Sequence, residues 1–412
     1  MTDREPLILV GSSVRSAAQS AFRAGFSPWC IDQFGDRDLR EVATEVRTVA
    51  DWPIGIESVF ADAPNAGWVY TGAIENSREL VERLSCQRPL WGCGSDVLSL
   101  LRNPVWVAQT LEQASLPSLP VIVPAAAFDE MVSGCDLSIA AMRSGQWMRK
   151  PLASAAGINV RDFDGDRPDP GSSNRHFLQK KANGRSVSGL YLGAAGSVRL
   201  LGMCEQLCRG PDAGTCRYIY SGSLGPLSTS DVPQRAFEQA QQIGSAIASG
   251  LSTEGSLIAG LFGIDFILDE VSSELWTLEV NPRYPASAEL YERAFGWHLM
   301  KWHVDACRNC AMPPAFSAGE SSVGNRRYKH GKQILYARQD FEVPDIIPLV
   351  EQLPGSDVER ISVADIPHPG TLIRKDEPVC TILTAQETLA GCREVLMSNS
   401  AALLTAVEAA GN

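Results

Sequence analysis

The sequence predicts a mixed fold in which an α/β domain is followed by α+β domains. Its 412 residues, 44.5 kDa in mass, are enough for two or three domains of about 100 to 200 residues each. Over the first hundred residues, short apolar strands alternate with helical segments, which is typical of a parallel sheet covered by helices. Further along, two strands around a short turn indicate antiparallel pairing.

The first elements predict a doubly wound domain. Residues 7–13 read as a strand that ends in a glycine turn, and residues 14–24 read as a helix closed by Gly25. Further strands are predicted at residues 29–32, 69–72 and 89–92. This order favours a Rossmann-like domain, but the first turn lacks the G-x-G-x-x-G spacing and therefore gives no evidence for a dinucleotide.

The remaining elements divide the chain into three predicted domains. A helix over residues 103–116, flanked by prolines, leads out of the first domain. Loops able to cover a ligand are predicted at residues 162–175 and 209–215. A linker is predicted at residues 311–326, followed by a strand at 333–337 and a terminal helix from about residue 386. We place the domains at residues 1–110, 111–312 and 313–412, the last one small and of α+β type.

Composition and charge exclude several classes of protein. The net charge of −12 and the pI near 5.0 oppose nucleic acid or an anionic membrane as the main partner. The first ten residues lack a signal-peptide pattern, and no apolar stretch reaches the roughly 20 residues that a membrane span requires. We therefore expect a cytoplasmic protein whose 11 cysteines are free thiols.

Three oxygen-bearing side chains converge in the predicted hairpin of residues 263–283. If the strands pair symmetrically about Ser272, Asp265 lies opposite Glu279, and strand alternation places Asn281 on the face of Glu279. Opposed carboxylates are destabilising unless solvent, a shared proton or a cation lies between them. Mg²⁺ suits such oxygen ligands, whereas the alternative is a solvated polar face on an edge hairpin.

Two cationic residues, Lys150 and Arg283, accompany this hairpin in the pattern. Arg283, two residues beyond Asn281, is expected on the same side, where its planar guanidinium suits a phosphate or a carboxylate. Upstream, Lys150 ends a strand and precedes a loop of small residues at 153–160, whose backbone N–H groups can approach phosphate oxygens. A lone lysine at a strand end is otherwise a solvated side chain.

The order of these segments resembles the ATP-grasp superfamily over residues 100–310. The matching features are the strand ending in Lys150, the small-residue loop, a strand that carries Gln179 and turns at Gly184, and the D-x(n)-E-x-N-P-R pattern that begins at Asp265. The resemblance implies an ATP-grasp fold with a Rossmann-like N-terminal domain. ATP would lie between two antiparallel α+β lobes.

The resemblance also implies roles for individual residues. Lys150 would contact the α- and β-phosphates, and the loop with Ser154 and Gly157 would close over the triphosphate. The backbone after Gln179 would contact adenine, and Lys180 and Lys181 beside it would belong to the nucleotide site. Arg102 would take the place of the usual first phosphate-binding lysine. Asp265, Glu279 and Asn281 would hold two Mg²⁺ ions, and Arg283 would steady the substrate carboxylate and the transferred phosphoryl group.

The implied reaction joins a carboxylic acid to an amine through an acyl phosphate. Lys180 and Ser186 stand where many ATP-grasp proteins carry acids, which leaves the ribose contacts open. The whole chain is similar to a subgroup of predicted carboligases related to biotin carboxylase, although residues 284–287 replace the Gln-Val-Glu-His type run of biotin carboxylases. It is also similar to ligases that join tyrosine or tyramine to glutamate in methanofuran-type cofactor synthesis.

Alternatives remain open at this point. One is a carboxylase that uses bicarbonate, and another is a nucleotide-binding regulator without catalysis. A homodimer is implied only by the family resemblance. The predicted site leaves out Glu75, Glu205 and Gln206.

Cys307 and Cys310 have C-x-x-C spacing, and His298 and His303 lie nearby in the sequence. We interpret these four residues as part of helix packing rather than as a zinc site.

Overall fold

The computed structural model describes residues 4–123, 146–163, 176–313, 328–353 and 361–411. Within these residues the chain forms a parallel sheet, a large antiparallel sheet, a small four-stranded sheet and a two-stranded ribbon. The predicted loop at 162–175 and the linker at 311–326 lie mostly outside the described residues. None of the described helices is long and apolar enough to cross a membrane.

The N-terminal segment folds into a four-stranded parallel sheet flanked by helices. Its elements are β1 (Pro6–Gly11), α1 (Arg15–Arg23), β2 (Ser27–Asp32), α2 (Arg37–Arg40), β3 (Glu45–Thr48), α3 (Ile56–Ala61), β4 (Trp68–Tyr70), α4 (Arg78–Ser85), α5 (Ser95–Leu101) and α6 (Pro104–Gln113). The strand order is β3-β2-β1-β4, and β1 is buried on both faces.

Two strand predictions in this segment need correction. The chain at 89–92 forms a single bridge between Leu90 and Trp68 rather than a strand, since Pro89 has no amide hydrogen to extend the ladder. The edge strand β3 was not predicted because its exposed, charged residues lack the apolar pattern of a buried strand.

The middle of the chain forms two layers around a cleft. A four-stranded sheet with the order β5-β8-β6-β7 consists of β5 (Val121–Ile122), β6 (Trp147–Pro151), β7 (Arg161–Asp162) and β8 (His176–Lys180). Opposite it, the large sheet begins with β9 (Arg185–Ala194), β10 (Ser197–Cys208), β11 (Tyr220–Gly225), β12 (Gly260–Leu268) and β13 (Leu275–Asn281). Helices α7 (Gln234–Thr253), α8 (Ala288–Phe295) and α9 (Leu299–Asn309) complete this part.

The large sheet has its core on the side of α7. Tyr191 of β9 stacks on Phe262 of β12 with ring centroids 5.1 Å apart. The Tyr191 hydroxyl donates to the carbonyl oxygen of Ala240 in α7 at 2.8 Å. These contacts bury one face of the sheet. The opposite face packs against α8 and α9 over part of its area and borders the cleft over the rest.

The C-terminal segment continues the same large sheet. Its elements are β14 (Lys329–Tyr336), β15 (Phe341–Glu342), α10 (Ile347–Val350), β16 (Ile361–Ala364), β17 (Leu372–Ile373), β18 (Pro378–Gln386) and α11 (Leu389–Ala410). The full strand order is β13-β12-β9-β10-β11-β14-β18-β16. The terminal helix begins at Leu389 rather than near residue 386, because Gln386 still pairs in β18 and the Thr388 hydroxyl caps Gly391.

A buried ion cluster joins the three parts of the chain. Arg15 of α1 donates to Glu289 of α8 at 2.5 Å and to Asp365, after β16, at 3.0 Å. Arg15 and Glu289 are almost fully buried. Burial opposes the charge on Glu289, but Arg15, Lys332 and Arg293 outweigh it and hold the pKa of that carboxyl well below its usual range.

Candidate active site

A cavity of about 550 Å³ lies between the small sheet and the open face of the large sheet. It is lined by every residue that the sequence analysis placed in the candidate site: Arg102, Lys150, Ser154, Gly157, Gln179, Lys180, Lys181, Asp265, Glu279, Asn281 and Arg283. Residues from positions 102 to 283 therefore come together in one space.

A β-bulge sets the register of the acidic hairpin. Asp265 of β12 pairs with Glu279 of β13, as predicted, and Gly263 pairs with Asn281. Phe266, however, pairs with Thr277, so Leu278 is an extra residue on β13 and the ladder is not symmetric about Ser272 along its whole length. The predicted pair is correct, although the uniform ladder behind the prediction was wrong.

Asp265 is partly buried and is hydrogen-bonded at both carboxylate oxygens. Its two oxygens accept hydrogen bonds of 2.8 Å from Gln206 Nε2 and Asn281 Nδ2. Burial, and then the negative charge of Glu279, raise the pKa of Asp265 above its usual value. The Glu279 side chain is 43% exposed and lies 3.7 Å from Arg102.

This donor set fits Mg²⁺. Two opposed carboxylates with an amide beside them leave negative charge that a dication would neutralise, and all three are hard oxygen ligands. Among the described residues, no group of three or more His, Cys, Asp or Glu side chains could hold a metal. Mg²⁺ would therefore need substrate phosphates and water to complete its shell, as is usual for this ion.

Arg283 connects the hairpin to the N-terminal domain. Its Nε donates to Glu75 Oε1 at 2.6 Å, and its terminal nitrogen lies 3.5 Å from Asn281 Oδ1. Glu75 follows β4 and is buried, and its second oxygen has no hydrogen-bond partner. The Tyr70 hydroxyl lies within hydrogen-bond distance of the Pro282 carbonyl oxygen, at 2.9 Å, and so holds the chain beside Arg283.

Lys150 faces the carboxylates across the cavity. Burial lowers the pKa of Lys150, whereas the negative charges of Glu279 and Asp265 raise it. A partly buried ammonium near two carboxylates with space between them is suited to an anionic ligand that carries cations of its own. A metal-bound triphosphate has this charge pattern.

The loop of residues 153–160 is docked against the large sheet. The Tyr220 amide donates to the Ala156 carbonyl oxygen at 2.9 Å, and Arg102 donates to the Ser154 carbonyl oxygen at 2.8 Å. Gly157 has a φ of +76°, and a Cβ there would lie 2.2 Å from the Tyr218 carbonyl oxygen. Only glycine fits this position, because both the conformation and the space exclude a side chain.

The strand β8 brings three further candidates to the cavity. Gln179 Nε2 donates to the carbonyl oxygen of Leu278, the bulge residue, at 3.2 Å, while Gln179 Oε1 is buried without a partner. The amide of Lys180 donates to Pro120 and that of Lys181 to Gln146. An adenine contact from this segment would therefore use carbonyl oxygens or residues beyond Lys181.

Gln206 and Glu75 contact candidate residues directly but were left outside the predicted site. The apolar run predicts a strand over residues 198–203, with Gln206 after its end. In the structure β10 runs to Cys208, pairing with β9 as far as Glu205 and with β11 from Glu205 onward. Had the strand been extended, alternation would have put Gln206 on the face of Asp265. The contact of Glu75 with Arg283 depends on how the N-terminal domain packs against the hairpin, and no local sequence pattern indicates it.

His303 is part of the packing, as interpreted. Its Nδ1 accepts the Leu261 amide hydrogen at 2.8 Å, and its Nε2 lies 2.9 Å from the Trp91 carbonyl oxygen. Both ring nitrogens of this buried side chain are thus engaged by the backbone.

The fold and this site define an ATP-binding protein with a two-lobed nucleotide cleft, and the comparisons give the family. Residues 107–287 match the ATP-grasp domain. The chain therefore contains an ATP-grasp domain, which confirms the predicted superfamily and fold class and agrees with the predicted class of enzyme. No curated protein sequence matches it.

Solved structures share the fold across nearly the whole chain. A carboxyaminoimidazole ribonucleotide synthase from Aspergillus clavatus, complexed with ATP, is 11% identical with a TM-score of 0.68, covering 99% of this chain and 100% of that one. The biotin carboxylase domain of 2-oxoglutarate carboxylase from Hydrogenobacter thermophilus, a dimer with MgADP and bicarbonate, is 14% identical with a TM-score of 0.67, covering 95% and 89%. N5-carboxyaminoimidazole ribonucleotide synthetase from Thermotoga maritima is 12% identical with a TM-score of 0.64, covering 95% and 97%.

Proposed function

We propose that the protein is an ATP- and Mg²⁺-dependent ligase that joins a carboxylic acid to an amine. The observation that carries the proposal is the convergence of Asp265, Glu279 and Asn281 with Arg283 on one wall of a cavity whose other wall holds Lys150. Cations and metal-ligand oxygens arranged around an open space suit phosphoryl transfer, in which positioning and charge stabilisation supply most of the catalysis.

Each residue has a proposed task. Lys150 and the loop of residues 153–160 bind the phosphates, and Asp265, Glu279 and Asn281 would hold Mg²⁺, which neutralises phosphate charge when bound. Arg283, held by Glu75, orients the acid beside the γ-phosphate. An oxygen of the acid attacks the γ-phosphorus as the bond to ADP breaks, and the amine nitrogen then displaces phosphate from the acyl phosphate and loses a proton.

The substrate class follows from the family resemblance and the position of Arg283. Its guanidinium, which lines the cavity, suits a carboxylate. The proposed substrates are amino-acid-like, with tyrosine or tyramine and glutamate the first pair to test, and with a methanofuran-type cofactor as the context. A homodimer in the cytoplasm is the proposed state of the protein.

A bicarbonate-dependent carboxylase is the second candidate, and the solved neighbours favour it. Their names describe carboxylation enzymes, and one of them holds bicarbonate. The chain after Arg283 argues against it: Pro285, Ala286 and Ser287 line the cavity, and the carboxylates among the described lining residues are Asp265 and Glu279. A base for bicarbonate is thus missing from this stretch.

One assay separates these functions. ADP release is measured with ATP and Mg²⁺ against pooled acids and amines, including glutamate with tyrosine or tyramine, and the products are analysed by mass spectrometry. ADP matched by an amide supports the ligase, and ADP with bicarbonate alone supports the carboxylase. Nucleotide binding without turnover in any pool would favour a regulatory protein.

A further inference from the structure

Gln206 makes a side-chain contact that crosses a strand. It lies on β10 and reaches over β9 to Asp265 on β12, where its Nε2 donates to Asp265 Oδ1 at 2.8 Å. The residues of β9 beneath it are serines: Ser188 pairs with Asp265, and the Ser186 side chain contacts that of Gln206. Because serine side chains are short, they leave room for the glutamine to span the strand.

The orientation of the Gln206 amide is fixed from both ends. The Ser186 hydroxyl donates to Gln206 Oε1 at 3.0 Å, while the carboxylate of Asp265 can only accept a hydrogen from Nε2. A flipped amide would turn its oxygen toward the carboxylate and lose the bond. The oriented Gln206 therefore holds Oδ1 of Asp265 in place, while Asn281 donates to Oδ2.

We propose that Gln206, oriented by Ser186, is a positioning residue that sets Asp265 for Mg²⁺·nucleotide binding. The inference rests on the proposed function, because it assumes that Asp265 is a metal ligand. It also explains the serine at position 186: the hydroxyl orients the glutamine. Partners that orient a metal-binding carboxylate typically contribute about 10- to 100-fold in metal affinity.

The test measures binding rather than turnover. The affinity of wild type and Gln206→Met for the non-hydrolysable analogue AMP-PNP is measured by calorimetry in EDTA and over a series of Mg²⁺ concentrations. Methionine keeps the length of the side chain but removes the donor. We expect Gln206→Met to require roughly 10- to 100-fold more Mg²⁺ for the same affinity, while binding in EDTA is unchanged.

Two further variants make the test specific. Gln333→Met is the control, because Gln333 lies on β14 of the same sheet but does not line the cavity. Its Mg²⁺ dependence is expected to match that of wild type. Ser186→Ala keeps Gln206 but removes its anchor, and is expected to shift the Mg²⁺ dependence in the same direction by a smaller factor. It also serves if Gln206→Met fails to fold.

The outcomes are distinct. Unchanged Mg²⁺ dependence in Gln206→Met and Ser186→Ala would overturn the role of Gln206 alone. An equal loss of affinity with and without Mg²⁺ would also overturn it, since the residue would then act on the nucleotide or the fold. Wild type without Mg²⁺-dependent nucleotide binding would contradict the proposed function itself.

Discussion

At the scale of single residues, partial burial strengthens the electrostatic interactions between the charged side chains of the cavity. Asp265 is partly buried beside another carboxylate, and Lys150 is partly buried opposite both of them. Charges in such surroundings interact more strongly than on the surface, because less water screens them. A cation bound between the carboxylates would relieve the repulsion that raises the pKa of Asp265.

His303 provides a pH-dependent test of a buried residue. Burial lowers its pKa from 6.5 to about 4, so that below pH 6.5 the unfolded chain binds a proton that the folded chain does not. The free energy of unfolding should therefore fall as the pH falls from 6.5 toward 4. Between pH 7 and pH 5, wild type should lose about 2 kcal/mol more than His303→Gln, measured by urea unfolding at both values. Equal pH dependence in the two proteins would contradict a neutral, buried His303.

At the scale of elements, the small sheet is tied to the large sheet at the mouth of the cavity. Asp162 of β7 accepts hydrogen bonds from Lys181, after β8, at 2.6 Å and from Tyr218, before β11, at 2.8 Å. Arg217 lies 3.2 Å from the same carboxylate. The Tyr218 and Arg217 contacts span the two layers that enclose the cavity.

Removal of this tie should speed nucleotide release. Exposed ion pairs contribute about 0.2 to 1 kcal/mol each, so Asp162→Ala should raise the ADP dissociation rate roughly threefold to tenfold with little change in the association rate. Stopped-flow fluorescence with a labelled ADP measures both rates. Glu57→Ala, which removes an exposed ion pair with Arg83 in the N-terminal domain, is the matched control. An unchanged dissociation rate in Asp162→Ala would show that the contacts of Asp162 with Tyr218 and Arg217 do not hold the two layers together.

The elements that could be predicted are those with a strong local pattern. The strand with Lys150, the strand with Gln179 and the acidic hairpin were predicted because apolar alternation and turn residues mark them. The bulge at Leu278 could not be predicted, since a single extra residue leaves the apolar pattern on either side intact. The end of β10 was missed because Gln206, a polar residue near the end of the strand, faces the cavity instead of bulk water.

At the scale of the whole molecule, the buried cluster around Arg15 joins the three parts of the chain. Arg15 contacts Glu289 and Asp365, and Glu289 lies 3.5 Å from Lys332 of β14. Lys332 in turn donates to the carbonyl oxygen of Ala286, in the stretch that lines the cavity after Arg283. Long-range contacts of this kind leave no trace in a local sequence pattern.

Loss of Arg15 should destabilise the protein strongly. Arg15→Met leaves the buried carboxylate of Glu289 and the partly buried carboxylate of Asp365 without their main partner, and removal of one member of a buried ion pair costs about 3 to 5 kcal/mol. Urea unfolding should show this loss, whereas Arg37→Met, which removes the exposed pair with Asp345, should cost less than about 1 kcal/mol. Similar unfolding midpoints for the two variants would contradict the assigned role of the cluster.

The measurement that tests the central claim most directly is ADP formation by wild type and Glu279→Gln, side by side, with ATP, Mg²⁺ and the acid and amine pools. Glu279 is partly exposed, so the variant should keep the urea unfolding midpoint of wild type. We predict that wild type forms ADP with a matching amide, and that Glu279→Gln forms ADP at least roughly a hundredfold more slowly, because a charge that holds Mg²⁺·ATP is lost. A folded Glu279→Gln protein with near-normal ADP formation would contradict the metal site.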